Sequence, residues 1–355
     1  MTTLARLDRS RLRHVGNMAQ LGGTRHYTLD EGRARGVSAI DVDTGAGFCF
    51  TVLPDRGLDI SRATYRGTNL VYLTPNGEVH PAYYEPEGFG WLRTFFGGLL
   101  TTCGLTTLGA PGRDGDEELG LHGRYATSPA TRVCDNSGWH GDEYRIQISG
   151  VVEECVLFGN KIRLTRTLST TLGSKTLKIE DVAENFGYRS TPFAILYHVN
   201  AGYPLLDASS RLVLTAQKSD PFNELSAKNI DKMQTFSEPI PGYEEQNYLH
   251  TMTADDEGYA SAALVNRELG DGLALTIRSD VSTLPYLNQW KMMGEGDYAL
   301  GIEPCAAPCA NRVDLREKGL LPNLEPGEKR TMRVEIGVLQ GQAEIDAFLE
   351  RTQAR

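Results

Sequence analysis

The sequence lacks the features that mark membrane, nucleic-acid and nucleotide-binding proteins. No segment approaches 18 uninterrupted apolar residues, and residues 1–10 contain no apolar stretch long enough for a signal peptide. No run of Lys and Arg with interleaved aromatics occurs, and the net charge of −10 disfavours a phosphate-backbone partner. Phosphate-cradling loops, nucleotide fingerprints and serine nucleophile elbows are absent as well. We therefore expect a soluble globular protein that binds neither nucleic acid nor a membrane.

Cysteine is scarce and irregularly spaced. Two of the six cysteines, Cys305 and Cys309, lie four residues apart, but no second close pair completes a zinc site. Scattered cysteines of this kind are typical of reduced, mostly buried thiols in a cytoplasmic protein. The sequence therefore predicts reduced thiols, no structural zinc site and a cytoplasmic location.

Helical periodicity is rare too, and short apolar or alternating runs dominate. Residues 162–168 alternate most clearly, whereas the clearest helix covers about residues 343–352. Residues 89–100 form a short helix or a turn, and the polar residues 218–257 are expected to form loops. Many strands without βαβ alternation predict an all-β antiparallel sandwich. Since no linker-like change in composition occurs, we expect residues 1–355 to form one domain, with strands of about residues 1–90 packed on the main sandwich.

Two strand-like segments carry titratable groups. The segment FAILYHVNAGYPLLD (residues 193–207) brings His198 and Asn200, which share a face, to a Gly-Tyr-Pro turn. The segment LGIEP (residues 300–304) brings Glu303 in a similar apolar setting. Histidine donates or accepts a proton near neutral pH. A histidine and a carboxylate on strand ends predict acid–base chemistry on a small molecule.

Two arginines lie next to glycine turns. Arg56, in LPDRGLDI (residues 53–60), has a planar fork suited to hydroxyls or a carboxylate. The alternative is a structural ion-pair turn of Arg56 with Asp55 and Asp59. Arg93 precedes GGLLTTCGL (residues 97–105), whose glycines permit close approach of the backbone either to a ligand or to a packed strand.

Two further segments combine polar and aromatic residues. In LGLHGRY (residues 119–125), His122 and Arg124 lie two apart and would share a face of a strand. In LPYLNQWK (residues 284–291), Trp290 offers a flat apolar plate and Gln289 a bidentate amide, which together suit a sugar ring. The alternative interpretations are that His122 is a surface histidine and that Trp290 is a core tryptophan. A metal site would have to be built from His122, His198, His250 and Glu303, none of which shows a compact ligand spacing.

Taken together, these segments resemble the aldose 1-epimerase (galactose mutarotase-like) superfamily, and more closely a bacterial aldose-epimerase-like subgroup of unknown function. The likeness covers almost the whole chain, through residues 15–23, 53–60, 102–105, 121–124, 197–206, 301–304 and 324–328. It implies a large antiparallel β-supersandwich with a few short helices. His198 matches the family's general acid, Glu303 its general base and His122 its substrate-binding histidine. Tyr197 stands where the family usually has Asn.

The resemblance implies an enzyme that opens and recloses the hemiacetal ring of a sugar without a cofactor. Its binding residues would be Arg56, Arg93, His122, Arg124, Asn200, Gln289 and Trp290, and its partner a small carbohydrate. Two alternatives stay open: a metal-assisted isomerase or lyase acting on a sugar acid, in which His250 and His122 join His198 and Glu303, and a non-catalytic carbohydrate-binding sandwich. The identity of the sugar and the formation of a homodimer stay open at this point.

Overall fold

A computed structural model describes residues 11–353; residues 1–10, for which the sequence predicts no signal peptide, and residues 354–355 lie outside the described part. About 47% of the chain is strand and 14% helix, which confirms the all-β class. The strands, in chain order, are β1 (Gly23–Thr28), β2 (Ser38–Asp43), β3 (Phe48–Leu53), β4 (Asp59–Tyr65), β5 (Thr68–Asn69), β6 (Thr101–Leu105), β7 (Gly112–Asp114), β8 (Glu117–Leu119), β9 (Thr131–Asp135), β10 (Gly138–His140), β11 (Glu143–Cys155), β12 (Lys161–Thr171), β13 (Thr176–Asn185), β14 (Thr191–Pro192), β15 (Ala194–Ala201), β16 (Arg211–Leu214), β17 (Ala216–Pro221), β18 (Gln246–Met252), β19 (Tyr259–Asn266), β20 (Leu273–Asp280), β21 (Tyr286–Met293), β22 (Tyr298–Cys305), β23 (Asn323–Leu324) and β24 (Lys329–Gln340).

The helices are short. The α-helices of the described residues are α1 (Glu224–Lys228), α2 (Arg312–Glu317) and α3 (Gln342–Gln353). Single 3₁₀ turns occur at Arg11–His14, Met18–Gln20, Gly32–Ala34, Pro54–Arg56, Pro81–Tyr83, Gly90–Arg93, Tyr125–Thr127 and Ile230–Lys232. None of the helices within residues 11–353 is long and apolar enough to cross a membrane.

Two large antiparallel sheets form the sandwich. One has nine strands in the order β10-β11-β12-β13-β24-β20-β19-β16, with β9 paired to β11, and the other has six in the order β17-β18-β21-β22-β15-β6. A five-stranded sheet, β1 to β5, precedes them in the chain, and β7–β8 and β14–β23 form two-stranded pairs. This arrangement is the large antiparallel supersandwich that the sequence predicts.

The main hydrophobic core forms because alternate residues of facing strands point inward. On β12 every second side chain is buried, and Ile162 and Leu164 join a core that also contains Ile195 and Val199 of β15. The same core includes Val52 of the N-terminal sheet. Each fully buried aliphatic side chain of this kind contributes about 1.5–3 kcal/mol.

The six-stranded sheet is covered on its other face as well. All eight residues of β15 are buried, and Leu196 packs in a second, smaller core with Trp91, Phe95 and Leu121. These three residues come from the connection between β5 and β9. This face of the six-stranded sheet is therefore partly covered by that connection.

Several local predictions can be scored. The helix predicted at residues 343–352 is confirmed as α3, and residues 89–100 contain the 3₁₀ turn Gly90–Arg93. The prediction of loops throughout residues 218–257 is wrong in part, because this range includes most of β17 and all of α1 and β18. Asn223 caps α1 by accepting a hydrogen bond from Ser226 N (2.8 Å). Because asparagine is also common in loops, its presence in the sequence does not distinguish a capped helix from a loop.

The cysteines are all free thiols, but the prediction that most are buried is wrong. Cys103 and Cys305 are buried, whereas Cys134 and Cys155 are exposed. The exposed pair lies on β9 and β11, at the margin of the nine-stranded sheet, where one side of the strand faces solvent.

Candidate active site

Three neighbouring strands of the six-stranded sheet carry polar side chains on the face that points away from the main core. His198 and Asn200 lie on this face of β15, because side chains alternate along a strand and the residues between them point into the core. Glu303 of β22 is paired in register with Asn288 of β21, and Trp290 lies two residues further on the same face. His198 and Glu303 lie within their strands rather than at strand ends, so that part of the prediction is wrong.

His198 and Glu303 meet at the centre of this face. Nε2 of His198 lies 3.2 Å from Oε1 of Glu303, and their side chains are 7% and 1% exposed. Asn288 donates a hydrogen bond from Nδ2 to the other carboxyl oxygen, Oε2, at 2.6 Å. Gly301 leaves the space that the carboxyl occupies, since a Cβ there would lie 2.1 Å from Oε1 of Glu303. Strand pairing therefore assembles a close histidine–carboxyl pair from distant parts of the chain.

Burial controls the protonation of this pair. It raises the pKa of Glu303 to about 8; the hydrogen bond from Asn288 opposes this rise and the charge of Glu245 adds to it. Burial, together with the neighbouring His122, lowers the pKa of His198 to about 3. Both shifts favour the neutral form of each group. At neutral pH the pair therefore carries one proton, on Glu303, and the imidazole of His198 is neutral.

His122 lies beside the pair, in a turn that follows β8. Its ring centroid is 6.1 Å from that of His198 and 4.7 Å from that of Trp91. The turn is held by backbone hydrogen bonds from His122 N to Gly109 O and from Gly104 N to His122 O, both 3.0 Å. Burial lowers the pKa of His122 to about 4, so it too is neutral near pH 7.

Aromatic rings enclose the imidazole of His198. Phe95 and Trp290 lie 5.4 and 5.5 Å from it, centroid to centroid, and Trp91 stacks on Phe95 at 4.6 Å. Nε1 of Trp290 donates to Oε2 of Glu245 at 2.7 Å, which holds the indole at the exposed side of the site. Flat apolar walls beside polar groups suit a ligand with an apolar face and a hydroxylated edge.

Buried polar atoms without a hydrogen-bond partner concentrate here. Of the nine such side-chain atoms within residues 11–353, five belong to this site: Nδ1 of His122, Nδ1 of His198, Oδ1 of Asn200, Oδ1 of Asn288 and Oε1 of Glu303. Oε1 of Glu303 is within ion-pair distance of His198 but lacks hydrogen-bond geometry. Native interiors pair nearly all buried polar atoms. The concentration therefore indicates a binding site for a polar ligand.

Arg56 does not belong to the site. Its guanidinium is 1% exposed and donates hydrogen bonds to the carbonyl oxygens of Ala126 (2.6 Å), Val79 (2.7 Å) and Thr94 (2.9 Å). The prediction of a ligand-binding Arg56 is therefore wrong, because its donors bind three connecting segments of the backbone. The alternative ion-pair turn is not formed either, since Asp59 bonds to Arg166 instead.

The prediction that Gln289 binds the ligand together with Trp290 is also wrong. It points to the opposite face of β21 from Trp290, where Oε1 lies 3.1 Å from Nε2 of His250 and Nε2 donates to Met233 O at 2.6 Å. Nδ1 of His250 lies 2.7 Å from Oγ of Ser219, so both polar ends are paired. His250 thus lies on the other side of the sheet from His198. The described residues contain no cluster of three or more metal-ligating side chains.

Of the remaining predicted residues, Asn200 lies on the face of His198, whereas Arg93 and Arg124 are exposed. The side-chain amide of Asn200 donates from Nδ2 to His198 O (2.8 Å) and Gly98 O (3.1 Å). Arg93 is 69% exposed and forms an ion pair with Glu85 at 3.1 Å. Arg124 is exposed, with its guanidinium carbon 6.0 Å from the Tyr84 ring centroid.

His122 and Arg124 do not share the face of a strand, so this prediction is wrong. The chain turns there, with φ of 58° at His122, so the two-residue alternation of a strand does not apply.

Sequence reasoning missed Asn288, Glu245, Trp91 and Phe95. The first could have been found, because the two-residue period of a strand assigns Asn288, not Gln289, to the face of Trp290. No local pattern indicates the other three, which reach the site through loop geometry.

A concavity lies elsewhere on the molecule. It has a volume of about 460 Å³ and lies beside α3 on the nine-stranded sheet, and its lining includes threonine and serine hydroxyls, four carboxylates and the two arginines Arg278 and Arg351. The guanidinium of Arg278 already bonds to Asp255 (3.1 Å) and Glu257. With Arg278 paired to carboxylates and no histidine in its lining, this groove is a weaker candidate than the His198–Glu303 face.

Comparison with known proteins supports the fold. The structure is similar to that of a Klebsiella pneumoniae protein described as a "putative aldose 1-epimerase" (TM-score 0.89, 24% identity, 95% of this chain and 90% of that chain covered). It is also similar to a galactose mutarotase-like protein of Clostridium acetobutylicum (0.63, 14%, 90% and 99%) and to galactose 1-epimerase of Lactobacillus acidophilus (0.58, 14%, 90% and 100%). No curated protein matches the chain. Residues 34–338 match the family model described as "Domain of unknown function (DUF4432)".

Proposed function

Because this chain belongs to the family described as a domain of unknown function (DUF4432), its activity has to be inferred from the site, and we propose that it interconverts the anomers of a sugar by acid–base ring opening. His198 and Glu303 would be the catalytic pair. The observation that carries the proposal is their 3.2 Å contact within a face of unpaired buried polar atoms. The supersandwich shared with galactose 1-epimerase of Lactobacillus acidophilus supports it as an analogy of fold.

Ring opening needs one base that reaches the anomeric hydroxyl and one acid that reaches the ring oxygen, both of which are bonded to C1 of the sugar. The base takes the proton of the anomeric hydroxyl while the acid protonates the ring oxygen, so the bond from C1 to that oxygen breaks and a carbonyl forms. After rotation about the adjacent bond, the two protons return as the ring closes on the other face. The two groups exchange protonation states at each step, so a pair that carries one proton in total is sufficient.

The resemblance requires ionised Glu303 and protonated His198, whereas burial places the proton on Glu303. The pKa values of about 8 and about 3 differ by about five, which corresponds to about 7 kcal/mol for moving the proton to His198. Opposite charges 3.2 Å apart attract each other by about 5 kcal/mol at an effective dielectric constant of about 20. This attraction offsets most of the cost, so the charged form is accessible, with Glu303 as the base and His198 as the acid.

The other groups of the face would hold the sugar. The indole of Trp290, with Phe95 beside it, offers surfaces for the apolar face of a pyranose ring. Nδ1 of His122 and the free side-chain oxygens of Asn200 and Asn288 offer hydrogen bonds to hydroxyls. Arg93 and Arg124, both exposed, remain proposed contacts at the rim.

Anomer exchange measured by NMR, over hexoses, pentoses and uronic acids, tests the proposal. Glu303→Gln and His198→Asn are each expected to lower the exchange rate by about 10²–10⁴-fold with the fold retained. The exposed Glu350→Gln on α3 is a matched control and is expected to behave like wild type. Wild-type turnover in either site variant, or no exchange above the spontaneous rate with any sugar, would contradict the assignment.

A further inference from the structure

On the opposite side of β15 from His198 lies a cluster of buried charges that the proposed function does not use. Arg166 of β12 is completely buried and forms ion pairs with Asp59 of β4 (2.8 Å) and Asp181 of β13 (2.7 Å). Both carboxylates are 0% exposed. The cluster therefore joins the N-terminal sheet to the nine-stranded sheet.

Two residues of the six-stranded sheet, Tyr197 and Thr102, form hydrogen bonds with this cluster. The phenol of Tyr197 donates to Oδ2 of Asp181 at 2.8 Å. Thr102 of β6, paired in register with Tyr197, donates from Oγ1 to Asp59 (2.6 Å) and accepts from Nη2 of Arg166 (2.9 Å). The next residue along β15 is His198. The anchored position is thus one residue from the proposed catalytic imidazole.

Stability alone does not account for such a cluster. One guanidinium faces two carboxylates, and burial raises the pKa of Asp59 to about 6 although Arg166 opposes the rise. Replacing a buried ion cluster with apolar residues of similar volume is often neutral or stabilising, because buried charges lose their hydration. What directional hydrogen bonds add is a defined relative position of the groups they join.

We propose that Tyr197, held by Asp181 and Arg166, is a positioning residue for His198. The phenol bond fixes β15 relative to the nine-stranded sheet, so that the imidazole on the other face stays within reach of Glu303. This role rests on the proposed function for its kinetic consequence. It also accounts for the tyrosine at position 197. The asparagine that the resembling family usually has there lacks a phenol that could reach the cluster.

Tyr197→Phe, which removes only the hydroxyl, tests this role. We expect kcat for anomer exchange to fall about 10- to 100-fold, since a displacement of about 1 Å can cost about 10²-fold, with KM changed by less than about twofold. The His198 imidazole resonances of protein labelled with ¹⁵N-histidine are expected to shift. Tyr65→Phe is the matched control: its buried phenol also donates one hydrogen bond, to Gln340 (2.9 Å), away from the site. It is expected to keep kcat and the His198 resonances unchanged.

A pair of substitutions at Thr102 separates positioning from general destabilisation. Thr102→Ser keeps the hydroxyl that bridges Asp59 and Arg166 and is expected to keep kcat, whereas the isosteric Thr102→Val removes it and should reproduce the kinetics of Tyr197→Phe. If Tyr197→Phe lowers the melting temperature but leaves kcat and the His198 resonances unchanged, the cluster is purely structural. If wild type exchanges no anomers, the proposed function fails, and the His198 resonances alone decide the positioning role.

Discussion

Replacing Glu303 with glutamine is expected to stabilise the protein while it removes the proposed activity. Burial raises the pKa of this carboxyl from 4.5 to about 8. At neutral pH the unfolded chain therefore ionises Glu303 and the folded protein does not. Glutamine is neutral in both states, has nearly the same shape and can still accept the hydrogen bond from Asn288.

The size of the effect follows from the proton balance. Between about pH 4.5 and 8 the Glu303 side chain binds up to one more proton in the folded than in the unfolded state, so its contribution to the free energy of unfolding of wild type falls as pH rises. The total difference corresponds to about 5 kcal/mol. The advantage of Glu303→Gln is thus expected to grow from about 1 kcal/mol near pH 5 to about 4 kcal/mol near pH 8.

Urea unfolding at several pH values between these limits measures the difference directly. Glu350→Gln removes an exposed carboxyl on α3 and is expected to follow wild type at each pH. If the curves of Glu303→Gln and wild type stay parallel across this range, the carboxyl is not held neutral by burial. Glu303 would then not hold the proton of the catalytic pair at neutral pH.

Three further predictions concern one residue beside Glu303 and other buried residues of the fold. Gly301→Ala would put a Cβ 2.1 Å from the carboxyl of Glu303, so we expect at least a tenfold loss of anomer exchange, measured by NMR; an active variant contradicts the packing argument. Arg56→Met should lower the free energy of unfolding by about 3–5 kcal/mol in urea, because three buried carbonyls lose a charged donor; a loss below about 1 kcal/mol contradicts this. Burial lowers the pKa of both His122 and His250 to about 4. As pH falls, these two histidines are therefore protonated in the unfolded chain before they are protonated in the folded protein, and their contribution to the free energy of unfolding should fall below about pH 6.5. Acid titration of the double variant His122→Gln/His250→Gln should show a shallower decline, and an unchanged slope contradicts the assignment.

Hydrophobic periodicity predicted strands and helices well where one face of the element contacts solvent and the other packs in the core. The alternation in residues 162–168 belongs to β12, and the helical spacing near residue 345 belongs to α3. Prediction failed where polar residues lie in short ordered elements. Residues 218–257 contain most of β17 and all of α1 and β18, whose polar composition does not distinguish ordered elements from a loop.

The site shows the same division. Residue types indicated His198 and Glu303 as titratable groups in apolar strands, and their side chains meet in the structure. The same reasoning selected Arg56 because arginine binds carboxylates, but the side chain is directed at backbone carbonyls. It selected Gln289 in place of Asn288 although strand alternation separates the two. Composition indicates which chemistry a side chain can perform, whereas the fold decides which partner it reaches.

By itself the sequence determined the fold class, the sequence positions of the titratable residues and the resemblance to a family, because hydrophobic period and short motifs are local properties. Only the tertiary structure decided that β15, β22 and β21 lie side by side, since strand pairing depends on contacts between residues about a hundred positions apart. It also decided the protonation of the pair, because desolvation depends on everything packed around a group. The buried cluster of Arg166, Asp59 and Asp181 behind Tyr197 is of the same kind: each charge is unremarkable in sequence, and only the packed sheets bring the three together.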